Sequence, residues 1–203
     1  MIMIGGIDSN QDVSDGDYRS NIAFKASREQ MYTFEAPYTF GTWSGSVLTW
    51  EVLTVDRTNK RVLLVTQNVI GNNTMNFKGD NMTTLSDYGT PYWRDSNPRK
   101  WLRETFYPSA FTAEEKGKIA ELILTESAQD GYKDVIDTVF LLSKTEVESY
   151  HPSNLNVNWW LRSLESKASY VHFGQNIGGV GKVGVSQTNY YYIRPALWLK
   201  YGN

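Results

Sequence analysis

His151 and His172 are the chain's only histidines, and a serine triad needs such a base between its nucleophile and a carboxylate. His151 precedes Pro152 in a polar stretch. His172 alternates with Val171 and Phe173, which would face the other side of a strand. Neither histidine is accompanied by the Gly-x-Ser-x-Gly sequence of a nucleophile elbow. We therefore predict that both are surface or contact residues and that neither is catalytic.

The chain has no cysteine, which excludes thiolate nucleophiles, thiolate metal sites and iron–sulfur clusters. Several carboxylates occur as close pairs at or near predicted helices, whose positive ends favour negative charge. These pairs are Glu114 with Glu115, Asp134 with Asp137, and Glu146 with Glu148. We interpret them as structural and not as acid/base pairs, and we predict a protein that is not an enzyme.

Two further segments suggest ligands but lack part of the required pattern. An acidic cluster near the N-terminus suggests calcium, but Val13 and Arg19 stand where an EF-hand needs glycine and glutamate. The cluster consists of Asp8, Asp12, Asp15 and Asp17. Gly178-Gly-Val-Gly181 lacks both the Lys-Ser/Thr ending of a Walker loop and the glycine spacing of a dinucleotide turn. We predict a solvated loop and a tight bend respectively, with no metal and no cofactor.

Aromatic residues are abundant, with 7 Trp, 13 Tyr and 8 Phe, and they concentrate towards the C-terminus. Tyrosine offers a large contact area at low entropic cost, and small polar residues adapt their hydrogen bonds, so binding surfaces use both. The predicted ligand-binding residues are Tyr170, His172, Gln175, Asn176, Ser186, Gln187, Asn189, Tyr190, Tyr191 and Tyr192. Strand alternation would send Tyr190 and Tyr192 to one face and Tyr191 to the other, so only one of these faces is predicted to meet a ligand.

The elements that must position these residues combine strands with short helices. Runs from Val47 to Val55 and from Arg61 to Thr66 flank turn residues and predict an antiparallel hairpin, with a neighbouring strand at 39–43. Asn97 before Pro98 predicts a helix start. Thr112 with Glu115, and Ser143 with Glu146, form capping boxes. The second helix is predicted to run from Thr112 through Ile123. Runs at 170–173 and 182–185 predict short strands.

Composition limits the classes of partner. Lys and Arg number 20 against 22 Asp and Glu, so no global positive field attracts nucleic acid. No apolar stretch is long enough to insert in a membrane, and the N-terminus lacks the basic start of a signal peptide. We predict a polar leader or arm at residues 1–30 and one ligand-binding domain at 31–203. Virion or cell-surface display is the expected setting.

The order of several short motifs resembles an uncharacterised bacterial and phage domain family. The motifs are Trp50-Glu-Val-Leu, Arg99-Lys-Trp-Leu102, a segment from Phe106 through Phe111, Val139-Phe-Leu-Leu-Ser143, Trp159-Trp-Leu-Arg-Ser163 and Ile193-Arg-Pro-Ala-Leu197. This family looks like a branch of the C-type-lectin-like fold, and it is similar to formylglycine-generating-enzyme-type domains and to variable proteins of diversity-generating retroelements. Leu164 and Glu165 replace the Pro-Gly that usually follows the Arg-Ser.

The resemblance implies an α+β, C-type-lectin-like fold with antiparallel sheets and two to three helices. It implies that Trp159, Trp160, Arg162, Arg194, Pro195 and Trp198 belong to the framework, and that residues 164–192 form a display surface. Formylglycine-generating activity needs cysteine, which is absent. The resulting hypothesis is a receptor-binding or adhesion protein for a protein or glycan ligand, and it includes diversification by a retroelement. The alternative is a structural phage or prophage assembly subunit, and either protein is able to oligomerise. A third hypothesis is a hydrolase or transferase, against which the absence of a deep polar pocket near His151 or His172 would count.

Overall fold

The computed structural model describes residues 22–27, 30–34, 38–70, 74–77, 92–124, 134–164, 170–176, 178–184 and 190–202. Within them the protein is a mixed α+β structure of mostly antiparallel sheets with three helical segments. The strands are β1 Ile22–Ser27, β2 Gln30–Phe34, β3 Tyr38–Trp43, β4 Ser46–Asp56, β5 Arg61–Thr66, β6 Thr74–Met75, β7 Leu122–Leu124, β8 Val135–Asp137, β9 Val139–Leu141, β10 Trp159–Leu164, β11 Tyr170–Gly174, β12 Val180–Gly184, β13 Tyr191–Tyr192 and β14 Pro195–Lys200.

The longest helical segment is continuous from Asn97 to Ala110, and it changes from α-helix to π-helix and back to α-helix. It consists of α1 Asn97–Trp101, a π-helical stretch Leu102–Phe106, and α2 Tyr107–Ala110. The other two helices are α3 Ala113–Lys118 and α4 Lys144–Tyr150. Within the described residues, no helix is long and apolar enough to cross a membrane.

The first five-stranded sheet has the order β3-β4-β5-β14-β9, and all its pairs are antiparallel. The predicted hairpin is confirmed as β4 and β5, and the predicted neighbouring strand is β3. The C-terminal strand β14 enters the sheet between β5 and β9, so residues far apart in sequence share one core. Leu63, Leu64, Phe140 and Leu197 are fully buried there.

The second five-stranded sheet has the order β12-β11-β10-β13-β6 and carries the segment that we predicted to be a display surface. The short strands predicted at 170–173 and 182–185 are confirmed as β11 and β12 over the described residues, and Val185 lies outside them. The pair β10 and β13 is parallel and is joined through Trp159 and Tyr192, whereas the other pairs are antiparallel. Two further hairpins, β1–β2 and β7–β8, complete the described strands.

Both predicted capping boxes are confirmed. Thr112 accepts a hydrogen bond from the backbone N–H of Glu115, and the Glu115 carboxylate accepts one from the backbone N–H of Thr112. Ser143 and Glu146 make the same reciprocal pair at the start of α4. The first helix starts one residue earlier than predicted, because Ser96 is the residue whose side chain caps the helix.

The prediction that the second helix continues to Ile123 is wrong. The helix α3 ends at Lys118, and Leu122–Leu124 form the strand β7. The C-terminal strand takes over the backbone at this point, because Ile119 bridges to Leu199 and the Ala120 N–H donates to the Trp198 carbonyl at 2.8 Å. Pairing with the C-terminal strand therefore overrides the helix that the apolar run after Lys118 predicted.

The buried hydrophobic side chains of both large sheets and the helical segments form one cluster. Its largest fully buried members include Trp50, Trp93, Phe77 and Phe106. The strand β1 begins inside the segment that we predicted to be a leader at 1–30, whereas residues 1–21, with the acidic cluster Asp8, Asp12, Asp15 and Asp17, lie outside the described residues.

Candidate functional site

A pocket of about 550 Å³ lies between the C-terminal end of α4, the loop that follows it, and the turn between β11 and β12. This volume is within the range of small-molecule binding sites. The residues that line it are Val147, Glu148, His151, Pro152, Ser153, Asn154, Trp159, Gln175, Gly178, Gly179 and Val180. The pocket therefore combines residues of the predicted display segment with residues of a helix end that we had not assigned to it.

The floor of the pocket is formed by Trp159, which is almost completely buried. One side of its indole is covered by Gly174, because a Cβ atom at Gly174 would lie closer to the ring than real Cβ atoms come to any heavy atom. The guanidinium of Arg194 lies over the same indole, 5.1 Å from the ring centroid. Trp159 is thus a lining residue that packs against both the Gly174 backbone and a buried cation.

Replacing Gly174 with alanine is expected to lower the free energy of unfolding by about 1–3 kcal/mol, because the added methyl group must displace the packed Trp159 indole. Urea denaturation measures the loss. Gly117 is the matched control, since a Cβ at that position would meet no heavy atom within 4 Å. Equal stability of the Gly174→Ala variant and the wild type would contradict this packing of the floor.

The loop at the pocket's edge is held by an ion pair beneath it. The Ser153 backbone N–H donates to both carboxylate oxygens of Glu51 at 3.0 Å, and the Ser153 carbonyl accepts from Arg194 Nη1 at 2.9 Å. Arg194 Nη2 in turn donates to Glu51 at 3.1 Å, and Arg194 Nε donates to the Thr66 carbonyl at 2.8 Å. Glu51 of strand β4 and Arg194, which directly precedes strand β14, therefore fix the backbone next to Asn154.

The opposite wall is a tight turn, as predicted for the Gly178 segment. Gly178 and Gly179 have φ values of 89° and 82°, a region that favours glycine. The Gly178 N–H donates to the Gln175 carbonyl and the Gln175 N–H donates to the Gly179 carbonyl, at 3.0 and 3.1 Å. The Asn158 side chain accepts from the Asn176 N–H at 2.9 Å. These bonds hold the wall in place before any ligand arrives.

The predicted ligand-binding residues divide into several environments. Tyr170 and Tyr190 are 43% and 59% exposed, Asn176 is exposed, and Gln175 lines the pocket. His172 is only 6% exposed, with its Nδ1 3.3 Å from the Ser163 carbonyl oxygen, so it is not part of an open surface. The remaining predicted residues outside strand β13 lie beyond the described residues: Ser186, Gln187 and Asn189.

The three consecutive tyrosines differ in what they contact. Tyr191 packs on Trp160 and on Phe173, with ring centroids 4.6 Å apart in both pairs, and burial raises the pKa of its hydroxyl. Tyr192 is half-buried and is paired in register with Trp159. Tyr190 is therefore the most exposed of the three.

His151 is the histidine that lines the pocket. It is exposed, and it ends α4 in the left-handed conformation with a φ of 46°. Glu148 lines the pocket one turn earlier, with its carboxylate 3.8 Å from Lys144 Nζ. Among the residues that the structure describes, no group of three or more His, Asp or Glu side chains is arranged to hold a metal ion.

Three of the predicted carboxylates, Glu115, Glu146 and Asp137, have structural partners. Glu115 and Glu146 close capping boxes, and Glu146 is also paired with Arg162. Glu115 also accepts a hydrogen bond from the Gly41 N–H at 3.0 Å. Hydrogen bonds, first of all that from the Thr112 backbone, lower the pKa of Glu115 below its ordinary value. Asp137 is buried against Arg99 and Trp93.

Sequence reasoning missed Glu51, Ser153 and Asn154 as site residues. Glu51 reads as the outward position of a strand, and the polar stretch after His151 reads as an ordinary loop. The signal that existed was the pair of framework predictions for Trp159 and Arg194, both of which the structure places directly beneath the pocket.

Fold and site together define a mixed α+β domain with a preformed pocket where loops and a glycine turn meet. Residues 59–201 match the model of a family described as a domain of unknown function (DUF6273), and the chain belongs to that family. The matched range contains β5, β14 and every residue that lines the pocket. No curated protein and no solved structure was found to match the chain.

Proposed function

We propose that the chain is a non-enzymatic ligand-binding module of C-type-lectin-like fold, of the receptor-binding or adhesion type. The observation that carries this proposal is the preformed pocket, because one of its walls is the turn at 175–180 within the predicted display segment. Its other walls rest on Arg194 and Trp159, which the resemblance assigns to the framework. A rigid frame that carries short loops is an arrangement suited to recognition.

The connectivity supports the C-type-lectin-like part of the proposal. The C-terminal strand β14 lies between β5 and β9 in one sheet, the helices lie between β6 and β10 in sequence, and β10 to β13 build a second sheet near the C-terminus. This division into a scaffold and a C-terminal ligand face is the one that the resemblance implies.

The exposed tyrosines support a recognition surface beyond the pocket. Tyr170 and Tyr190 expose large aromatic side chains at 43% and 59%. Large amphipathic rings provide contact area with little entropy to lose, and aromatic anchors dominate binding energies at interfaces. A protein or glycan ligand that covers the pocket and either tyrosine ring would gain binding energy from both contacts.

Replacing Tyr190 with alanine is expected to weaken ligand binding roughly 30-fold, which corresponds to about 2 kcal/mol at a binding hot spot. Labelled protein applied to a glycan array and to a panel of bacterial cells measures the loss. The Ile136→Ala variant is the control, because Ile136 is 60% exposed but lies in the separate β7–β8 hairpin. Saturable binding that Tyr190→Ala does not change would refute this contact.

The alternative function, an assembly subunit of a phage or prophage particle, uses the same surface to bind another chain. Light scattering separates the two: a concentration-independent oligomer that dissociates in the Tyr190→Ala variant indicates assembly. Tyr191→Ala is unsuitable for this purpose, since Tyr191 packs within the chain on Trp160 and Phe173.

Diversification by a retroelement is the genetic part of the proposal. Adenine-directed errors in Asn codons reach Tyr, Ser, His and Asp but not Gln or Lys. The described positions that fit this set and are exposed are Tyr170, Asn176 and Tyr190. Sequencing the DNA that flanks the gene tests the idea, because a reverse transcriptase and a near-copy of the C-terminal region must be present.

A further inference from the structure

Two primary amides at the pocket have no hydrogen-bonding partner within the described part of the chain. Asn154 and Gln175 both line the pocket, and the structure gives neither side chain a hydrogen-bond partner among those residues. Each amide offers two N–H donors and one carbonyl acceptor in one plane. The neighbouring backbones are fixed by the Glu51 and Arg194 bonds to Ser153 on one wall and by the turn bonds of Gln175 on the other.

The charges around the pocket do not suit an anion. Among the described residues that line the pocket there is neither Lys nor Arg, and His151 is the residue there that can carry a positive charge. Arg194 is not in the lining and is fully buried and paired with Glu51. Phosphate and carboxylate ligands are normally met by Arg or Lys, which the described lining does not supply. Glu148 is the lining carboxylate, and its interaction with Lys144 at 3.8 Å reduces its attraction for a cation.

Four of the remaining lining residues are apolar, and His151, Ser153 and two glycines complete the described lining. Val147, Pro152, Val180 and Trp159 contribute to the walls and the floor. Apolar walls with a few fixed polar groups bind ligands that have a hydrocarbon face and directed hydroxyl groups. A neutral sugar has both features, because its ring C–H groups form an apolar face and each hydroxyl both donates and accepts.

We propose that this pocket binds a neutral sugar unit through the side-chain amides of Asn154 and Gln175. The inference rests on the proposed binding function and names the ligand class of one part of its surface. The pocket volume of about 550 Å³ favours a compact unit over an extended peptide, which would need a groove or a sheet edge along its length.

The test follows the side-chain NH2 signals of Asn154 and Gln175 in ¹⁵N NMR spectra during titration. The probes are the methyl glycosides of glucose, galactose, mannose and N-acetylglucosamine. Glucuronic acid, glucose 6-phosphate and glucosamine are the charged counterparts, and a capped neutral tripeptide represents peptides. We expect at least one neutral glycoside to shift both amides saturably, and each charged sugar to bind at least tenfold more weakly than that glycoside.

Asn154→Ala and Gln175→Ala are each expected to weaken glycoside binding at least tenfold. Asn156→Ala is the matched control and should leave the affinity unchanged, because Asn156 is exposed in the same loop but does not line the pocket. Thermal unfolding of each variant verifies its fold. For a variant that is unfolded, Gln175→Glu or Asn154→Asp replaces it and exchanges the amide donors for an acceptor of the same size.

The inference is overturned if only the charged sugars or the tripeptide shift these amides, or if no glycoside shifts them at up to about 10 mM, a concentration that detects Kd values in the millimolar range. It also fails if array or cell binding depends on Tyr190 but not on Asn154 or Gln175, and in that case the proposed function survives without it. If glycoside binding depends on both amides and the Tyr190 test fails, the sugar pocket is supported and the proposed recognition surface around Tyr190 is rejected.

Discussion

Replacement of Arg194 by methionine is expected to lower the free energy of unfolding by about 3–5 kcal/mol, since it leaves a buried ion pair with one partner. Methionine has a similar length and no charge. The Arg194 side chain is fully buried and donates to the Thr66 carbonyl, the Ser153 carbonyl and the Glu51 carboxylate. Without the guanidinium, two carbonyl groups and a carboxylate lose a donor, and the cost of burying them is no longer offset.

The burial of this cation also predicts how stability depends on pH. Burial lowers the pKa of Arg194 from its ordinary value to about 10, although the Glu51 carboxylate acts in the opposite direction. Between these two values the unfolded chain binds more protons than the folded one, so the contribution of Arg194 to stability rises with pH there. At lower pH both states hold the charge, and Arg194 contributes no pH dependence.

Urea denaturation near pH 7 measures the Arg194→Met effect, and Arg103→Met is the control because Arg103 is exposed on the π-helical stretch. Glu51→Gln and the double variant complete a mutant cycle. We expect the double variant to lose less than the sum of the single losses, because both changes remove the same interaction. We call the bonds of Arg194 to Glu51, Ser153 and Thr66 the clamp. A loss below about 1 kcal/mol for Arg194→Met, which is the usual contribution of a surface ion pair, would contradict a stabilising role for the clamp.

The same variant tests whether the clamp holds the pocket loop. When Arg194 is replaced, the Ser153 carbonyl loses its donor, whereas the Ser153 N–H still donates to Glu51. The backbone amide signals of Ser153 and Asn154 are therefore expected to shift or broaden. Glycoside affinity is expected to fall by more than the decrease in the folded fraction of the protein accounts for. Unchanged amide signals would mean that the loop holds its conformation without the clamp.

The parts of the fold that the sequence predicted correctly are those with local causes. The capping boxes at Thr112 and Ser143 depend on contacts three residues apart, and the hairpin of β4 and β5 depends on alternation around a short turn. The bend at Gly178 follows from a backbone conformation that favours glycine. Each of these signals lies within a window of a few residues, where side-chain type and backbone geometry are directly coupled.

The parts that sequence reasoning missed depend on contacts between distant positions. The α3 helix ends at Lys118 because Ile119 and Ala120 pair with the C-terminal strand near residue 199. The Glu51 bond to Ser153 spans 102 positions, and the Glu51 bond to Arg194 spans 143. No periodic pattern in the sequence indicates which of these distant residues are in contact. The pocket could therefore be identified only from the folded structure.

The tyrosine-rich run illustrates a limit of residue-type arguments. Composition indicates a binding surface, but exposure depends on which side chains find partners inside the chain. Tyr191 finds Trp160 and Phe173, whereas Tyr190 finds no strand partner within the described sheets. His172 is buried on β11 although its residue type suits a paratope. The exposed residues are therefore fewer than the predicted set, and composition did not indicate the pocket.

A second large effect is expected from Asp137, whose carboxylate connects three separate elements. Its side chain is fully buried, accepts from Trp93 Nε1 at 2.8 Å, and accepts from Arg99 Nε at 2.9 Å. Arg99 also donates to the Arg94 carbonyl at 3.0 Å. One carboxylate therefore joins the β8 strand to the 3₁₀ turn Trp93–Asp95 and to the first turn of α1.

Asp137→Ala is expected to cost about 3–5 kcal/mol of unfolding free energy, because the Arg99 guanidinium stays buried without its counter-ion and the Trp93 N–H loses its acceptor. Asp137→Asn keeps one acceptor oxygen and should cost less than Asp137→Ala. Asp134→Asn is the control, since Asp134 is exposed just before the same strand. Urea denaturation gives the energies, and the indole N–H signal of Trp93 reports the lost bond. If Asp137→Ala moves that signal but costs no more than the control, the network orders the turn without stabilising the fold, and the predicted energy is wrong.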